Sequence, residues 1–178
     1  MTSDQNNDGS KLDYRWHLSE SDAEVTCTEL EFALMRCFEA FGRWQGECLA
    51  SVSDFAGSGP ENALLHLVRM NDRGKSIKEL ARLTNRDDIP NIQYSMRKLL
   101  AAELVQKKGS GRTGVTYEVT DKGRQVTDDY SELRKRLLIE QIRSLPRFET
   151  RLAEAGRSLN ILAGIYEEIA RVTATHRR

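Results

Sequence analysis

The run from Ser76 to Gly123 constrains this chain more than any other stretch of it. It reads SIKELARLTN, then RDDIPNIQYSMRKLLAAELV, then QKKGSGRTGVTYEVTDKG. Ser76 followed three residues later by Glu79 is a capping-box pattern that starts a helix. Ile77, Leu80, Ala81 and Leu83 define the inner face of that helix. Asp88 stands where a second helix needs its cap, with Pro90 in the first turn. Ile92, Met96 and Leu99 then fall on one buried side. Leu104 and Val105 open a strand, residues 115–119 (VTYEV) alternate as its return, and Gly109 to Gly114 form the tip. A helix pair followed by a basic hairpin suits a DNA duplex. The second helix can enter the major groove while the tip reaches the backbone or minor groove beside it.

The charge distribution agrees. The 178 residues carry 27 Lys/Arg and 27 Asp/Glu, a net of zero. Yet residues 1–68 hold 4 basic against 12 acidic side chains, a net of −8, and residues 69–124 hold 13 against 7, a net of +6. Residues 125–178 hold 10 against 8, a net of +2. The positive charge sits where phosphates would need it. A neutral total excludes a histone-like binder but not a site-specific one with a local basic face.

The rest of the chain reads as helix. Residues 1–24 are polar and acidic and are expected to be mostly a disordered arm, with Tyr14, Trp16 and Leu18 able to dock. From about Thr26 to Phe55, Leu30, Leu34, Cys37, Phe41, Trp44, Cys48, Val52 and Phe55 recur at spacings of 3 and 4, a long helix with one apolar stripe. Residues 57–60 (GSGP) break it, and residues 61–71 form a short buried helix through Leu64, Leu65, Leu67 and Val68. Beyond Asp121, Val126, Tyr130, Leu133 and Leu137 mark another helix, broken at Pro146. Leu145, Phe148, Leu152, Ala155, Leu159, Leu162, Tyr166, Ile169 and Thr173 then form a heptad seam. The expected fold class is mainly α with a small β-hairpin wing, a winged helix-turn-helix between long N- and C-terminal helices. Its divisions fall at residues 1–24, 25–57, 58–124 and 125–178.

Several function classes lose their footing. No run approaches the roughly 18–20 apolar residues of a membrane span, and the N-terminus lacks a signal-peptide core, so a cytoplasmic protein is expected. Cys27, Cys37 and Cys48 fit no zinc spacing, and a reduced compartment follows. Cys37 and Cys48 fit core positions. Cys27, near the expected start of the first helix, is a candidate redox site, opposed by Glu29 and Glu31. His17, His66 and His176 lie in unrelated segments, and no triad, phosphate loop or metal spacing is present. The chain is therefore read as no enzyme, with no cofactor and no metal.

The order of elements resembles the MarR family of winged-helix transcription regulators over roughly residues 26–175. The most specific run is Leu80-Ala81 through Met96, Leu99 and Leu104-Val105 to Val119-Thr120-Asp121-Lys122-Gly123. Two departures stand out. Glu103 replaces the usual glycine before the strand, and the wing lacks the family's Asp-Arg-Arg, with Arg112 alone matching its arginine. The resemblance implies a homodimer with intertwined N- and C-terminal helices. It also implies a ligand-responsive repressor with a small-molecule effector, which no residue of the sequence supplies independently.

With Ile92, Met96 and Leu99 inward, the outward arc of the second helix holds Pro90, Asn91, Tyr94, Arg97 and Lys98, with Gln93 on its flank. Asn91 and Gln93 are candidate base readers, and Tyr94 suits a thymine methyl or a phosphate. Arg97 and Lys98 suit phosphates, as do Lys107 and Lys108 beside the wing. Arg112 at the tip fits a narrow minor groove. Ser76 and Lys78 can add a backbone contact at a helix N-terminus. Phe41 and Trp44 are candidate lining for a ligand pocket near the dimer junction, although aromatics at helical spacing are more often core. The leading expectation is a homodimeric, sequence-specific regulator on a pseudo-palindromic operator. The alternative is a winged-helix protein-interaction module without specific DNA binding.

Overall fold

A computed structural model describes residues 17–18, 20–109 and 114–176. Tyr14, Trp16 and Arg112 lie outside the described residues. Residues up to Thr127 and from Asp128 onward form two compact units.

In the first unit, α1 runs over Asp22–Val52. Its start precedes the apolar stripe because Ser21 and Glu24 form a capping box, which satisfies two backbone donors that no earlier turn could. Helix α2 (Gly59–Arg69) follows with Pro60 in its first turn. Next come α3 (Ile77–Thr84), α4 (Ile89–Ala101) and the strands β1 (Val105–Lys108) and β2 (Thr116–Val119). The strands pair antiparallel, Val105 opposite Val119 and Lys108 opposite Thr116. Helix α5 (Asp121–Arg134) begins directly after β2.

One core holds this unit together. Leu49, Leu64, Leu65, Val68, Leu80, Ile92, Met96, Leu99 and Leu104 are essentially solvent-free, and Tyr117, Val119 and Val126 close over them. Each such aliphatic side chain contributes about 1.5–3 kcal/mol relative to exposure. The helix pair and the hairpin therefore share a single apolar centre and cannot move far apart.

Two polar devices fix the wing against it. Lys75 is fully buried, and its ammonium donates to the carbonyls of Val68, Met70 and Arg73 at the frayed end of α2. A lysine tip supplies donors to carbonyls at and just beyond a helix end, where the backbone ladder runs out. The Lys75 backbone bridges Tyr117 in β2, with N to O distances of 3.0 and 2.9 Å. Glu103 takes the left-handed φ of 60° that the glycine of the resembled family would take. Its carbonyl then accepts the Thr120 hydroxyl at 2.6 Å. Gly123 permits this closure: a Cβ there would lie 2.0 Å from the Leu104 carbonyl oxygen.

Two expectations need correction. Leu83 is 39% exposed and lies off the inner face of α3, which rests on Leu80 and Ala81. Cys37 is exposed, and of the two cysteines placed in the core only Cys48 is buried there. The apolar stripe of α1 stands exposed at Leu30, Leu34 and Phe41, which its spacing alone does not assign to the core.

In the second unit the helix that begins as α5 passes through a π-helical turn at Lys135–Ile139 into α6 (Glu140–Ser144). The break comes at Pro146, with Arg147 in the left-handed region at φ 59°. Helix α7 then runs over Phe148–Ala174 with no buried residue. Leu152, Leu159, Tyr166 and Ile169 of the seam are all exposed, as are Ile161, Ile165 and Val172 beside it. No described helix is long and apolar enough to cross a membrane.

Candidate nucleic-acid interface

Helix α4 presents two chemically different sides. Ile92, Ser95, Met96 and Leu99 are buried, while Pro90, Asn91, Gln93, Tyr94 and Arg97 are exposed. Tyr94 is 56% exposed, and Arg97 lies over its ring at 5.9 Å from the centroid. An aromatic ring flanked by a guanidinium offers a flat apolar face and a positive charge together. This is the outward arc expected from the helical period.

Lys98 behaves differently. Its Nζ lies 3.2 Å from the buried Glu61 carboxylate of α2, and 5.7 and 5.9 Å from the Phe55 and Tyr94 rings. Its stem follows the helix surface and its charge turns inward. The same carboxylate accepts the Ser95 hydroxyl at 2.8 Å, and the Ser58 N–H at 2.8 Å together with the Ser58 hydroxyl. Burial alone would raise the Glu61 pKa. The hydrogen bonds from Ser58, Ser95 and Lys98 outweigh it and hold the group at about 2. Glu61 is thus a buried anion that fastens α4 to α2. The Ser58-x-x-Glu61 spacing is a capping signal in the sequence, but its partners 34 and 37 positions later are not.

The start of α4 carries a second carboxylate. Arg86 grips Asp88 through Nε at 2.7 Å and a terminal nitrogen at 2.6 Å. Asp88 in turn accepts from the Asn91 amide at 3.1 Å. Arg86 first, and Asn91 after it, hold the Asp88 carboxyl at about 2. Asp88 occupies the N-cap position but makes no side-chain cap bond. A capping bond of this kind is worth about 1 kcal/mol, so the carboxylate is directed elsewhere.

The remaining predicted residues flank this face. Ser76 caps α3, accepting the Glu79 N–H at 3.2 Å. The Glu79 carboxylate turns to Arg73, so the box is half formed. Lys78 is exposed at the same helix start. On β1, Lys107 is exposed and Lys108 pairs with Glu118 across the hairpin at 2.5 Å. Cys27 is exposed with Sγ 3.9 Å from the Glu31 carboxylate, away from this surface on α1. Among the described residues no cluster could hold a metal ion.

A cavity of about 820 Å³ opens between α1 and the start of α2. Phe38, Phe41, Gly42, Pro60, Ser58 and Arg86 are among its walls. Phe41 lines it, the less favoured of its two sequence readings; Trp44 is not among the lining residues. Ser58 and Arg86 touch the two carboxylates that hold α4, so the cavity wall and the exposed helix face share partners.

Comparison with known proteins places this geometry. Residues 58–123 match the family model described as a winged helix DNA-binding domain. No curated protein matches the sequence. Among solved structures, a MarR family transcription regulator superposes with a TM-score of 0.64 at 10% identity, covering 84% of this chain and 99% of that one. The transcriptional regulator BldR from Sulfolobus solfataricus gives 0.62 at 18% identity, covering 79% and 98%. MepR of S. aureus, solved as a complex with DNA, gives 0.56 at 13% identity, covering 75% and 96%. Residues 58–123 thus match the model of a winged helix DNA-binding domain, and the chain shares the fold of the solved MarR family transcription regulator.

Proposed function

We propose that the protein is a homodimeric transcription regulator that places one α4 in the major groove of each half of a pseudo-palindromic operator. The observation that carries this reading is the outward face of α4, where Asn91, Gln93, Tyr94 and Arg97 stand exposed on a helix anchored from behind by Glu61. MepR, of the same fold, is solved bound to DNA. In this reading Asn91 and Gln93 address base edges and Tyr94 a thymine methyl or phosphate. Arg97, Lys78, Lys107 and the wing's Arg112 meet the backbone or minor groove, with Ser76 at the α3 N-terminus. Lys98, already paired with Glu61, serves the helix more than the duplex. The exposed apolar faces of α1 and α7 supply the dimer surface, since such faces seek a partner.

Ligand response belongs to the same proposal. An effector in the α1–α2 cavity would act on Ser58 and Arg86, and so on the hold that Glu61 and Asp88 have on α4. It would act by favouring one of two helix placements over the other.

The test is binding to the DNA upstream of the protein's own gene across a salt series. A footprinted site with a steep salt slope is expected. Weak, sequence-blind binding would remove the regulator reading and turn the search to protein partners.

A further inference from the structure

Helix α4 begins without its side-chain cap, although an aspartate occupies the capping position. The Asp88 carboxylate instead lies between the Arg86 guanidinium and the Asn91 amide nitrogen. We infer that Asp88 is a specificity-setting positioning residue: backed by Arg86, it fixes the Asn91 carboxamide in the orientation that reads adenine. This rests on the proposed entry of α4 into the major groove.

The argument is one of donors and acceptors. An ionised carboxylate only accepts hydrogen bonds, so it holds the NH₂ side of Asn91 and repels its Oδ1. The two parallel bonds from Arg86 fix the carboxylate plane. The Arg86 N–H is itself tied to the Ala81 carbonyl at 2.9 Å, so the fork stands on a fixed turn. Asn91 is exposed, and its Oδ1 and second N–H have no hydrogen-bond partner among the described residues. One acceptor and one donor, held side by side, complement the N6 donor and N7 acceptor of adenine. A carboxamide held in place beforehand also loses less freedom on binding. Asp88 touches no base; it acts through Asn91.

The experiment selects the full chain against a random duplex library, with Asp88→Ser, Asp88→Ala, Asn91→Ala and the Asp88→Ala/Asn91→Ala pair beside the parent. The parent should enrich adenine at one fixed position in each half-site. Both Asp88 variants should lower that preference about tenfold, while the salt slope stays with the parent's. Asn91→Ala should lose the same position, and the double variant should lose nothing more. Asp88→Ser decides against a merely structural role, because serine restores the helix cap that alanine lacks. Recovery of the adenine preference by Asp88→Ser would overturn the proposal, as would a parent-like preference in Asp88→Ala. A parent that enriches no sequence would instead overturn the operator-binding function on which the proposal stands.

Discussion

The Ser95 hydroxyl of α4 donates to the Glu61 carboxylate of α2 across 2.8 Å, in a place where both side chains are at least 95% buried. This bond joins the back of the exposed helix to the loop that ends α1, because Glu61 also accepts from Ser58.

Acid should loosen this joint. Glu61 sits at about 2 in the fold, against an ordinary 4.5, and Asp88 at about 2, against an ordinary 3.8. Both folded pKa values are depressed, so the unfolded chain binds more protons between them. The stabilisation is therefore complete above about pH 4.5 and is lost as pH falls toward 2. Urea midpoints measured from pH 6 to pH 2 should decline across that window, and the decline should be shallower in Glu61→Gln. Identical pH profiles in the two proteins would show that Glu61 does not carry the effect.

Glu61→Ala leaves the Ser95 hydroxyl and the Lys98 ammonium without their acceptor. A loss of about 2–4 kcal/mol is expected, from an unsatisfied buried group and a broken charge pair. Denaturant unfolding measures it directly; a change below about 0.5 kcal/mol would mean that water replaces the carboxylate without cost.

Arg97 and Lys98 are neighbours in sequence but should separate by assay. Arg97→Ala should weaken DNA binding and reduce the salt slope by about one, with little change in stability. Lys98→Ala should lower stability and leave the slope nearly intact. Equal slopes lost in both would return Lys98 to the phosphate contacts.

The exposed apolar surface of α7 gives a test of assembly. Ile161 and Ile169 are 66% and 56% exposed, so a charge at either harms nothing within one chain. Ile169→Glu should shift sedimentation from the proposed dimer to monomer at micromolar concentration while the parent's far-ultraviolet helix signal persists. A parent that sediments as monomer would remove the dimer from the proposed function.

Gly123→Ala should be among the most damaging small changes. The Leu104 carbonyl oxygen stands 2.0 Å from where the methyl carbon would go, and it accepts the Thr120 N–H at 3.1 Å. Relief requires the wing to move off α5, at about 3 kcal/mol or more. A thermal midpoint within two or three degrees of the parent's would show that the turn yields cheaply.

The winged helix was legible because periods of 3.6 and 2 depend on where Cβ atoms point, and Ile92, Met96, Leu99, Tyr117 and Val119 all point where the periods put them. Lys98 shows the limit of that reasoning. Its Cβ lies on the outward arc, but four methylenes carry the charge around to Glu61, and no helical wheel follows a flexible stem. Asp88 was legible as a helix start and illegible as a partner of Asn91, because capping and lateral pairing use the same carboxylate at nearly the same spacing. Cys37 was placed inside by a stripe that one chain alone leaves exposed; periodicity finds an apolar face without saying which molecule covers it.

Lys75 leaves a chemical mark of its own. An amine with no solvent exposure, enclosed by three carbonyls and held by burial below the usual lysine range, is out of reach of acylating reagents while the fold is closed. Its rate of labelling, read by mass spectrometry beside that of exposed Lys107, becomes a clock for the opening of the α2 end and the wing it supports. That clock runs on the native protein, with no substitution needed to set it.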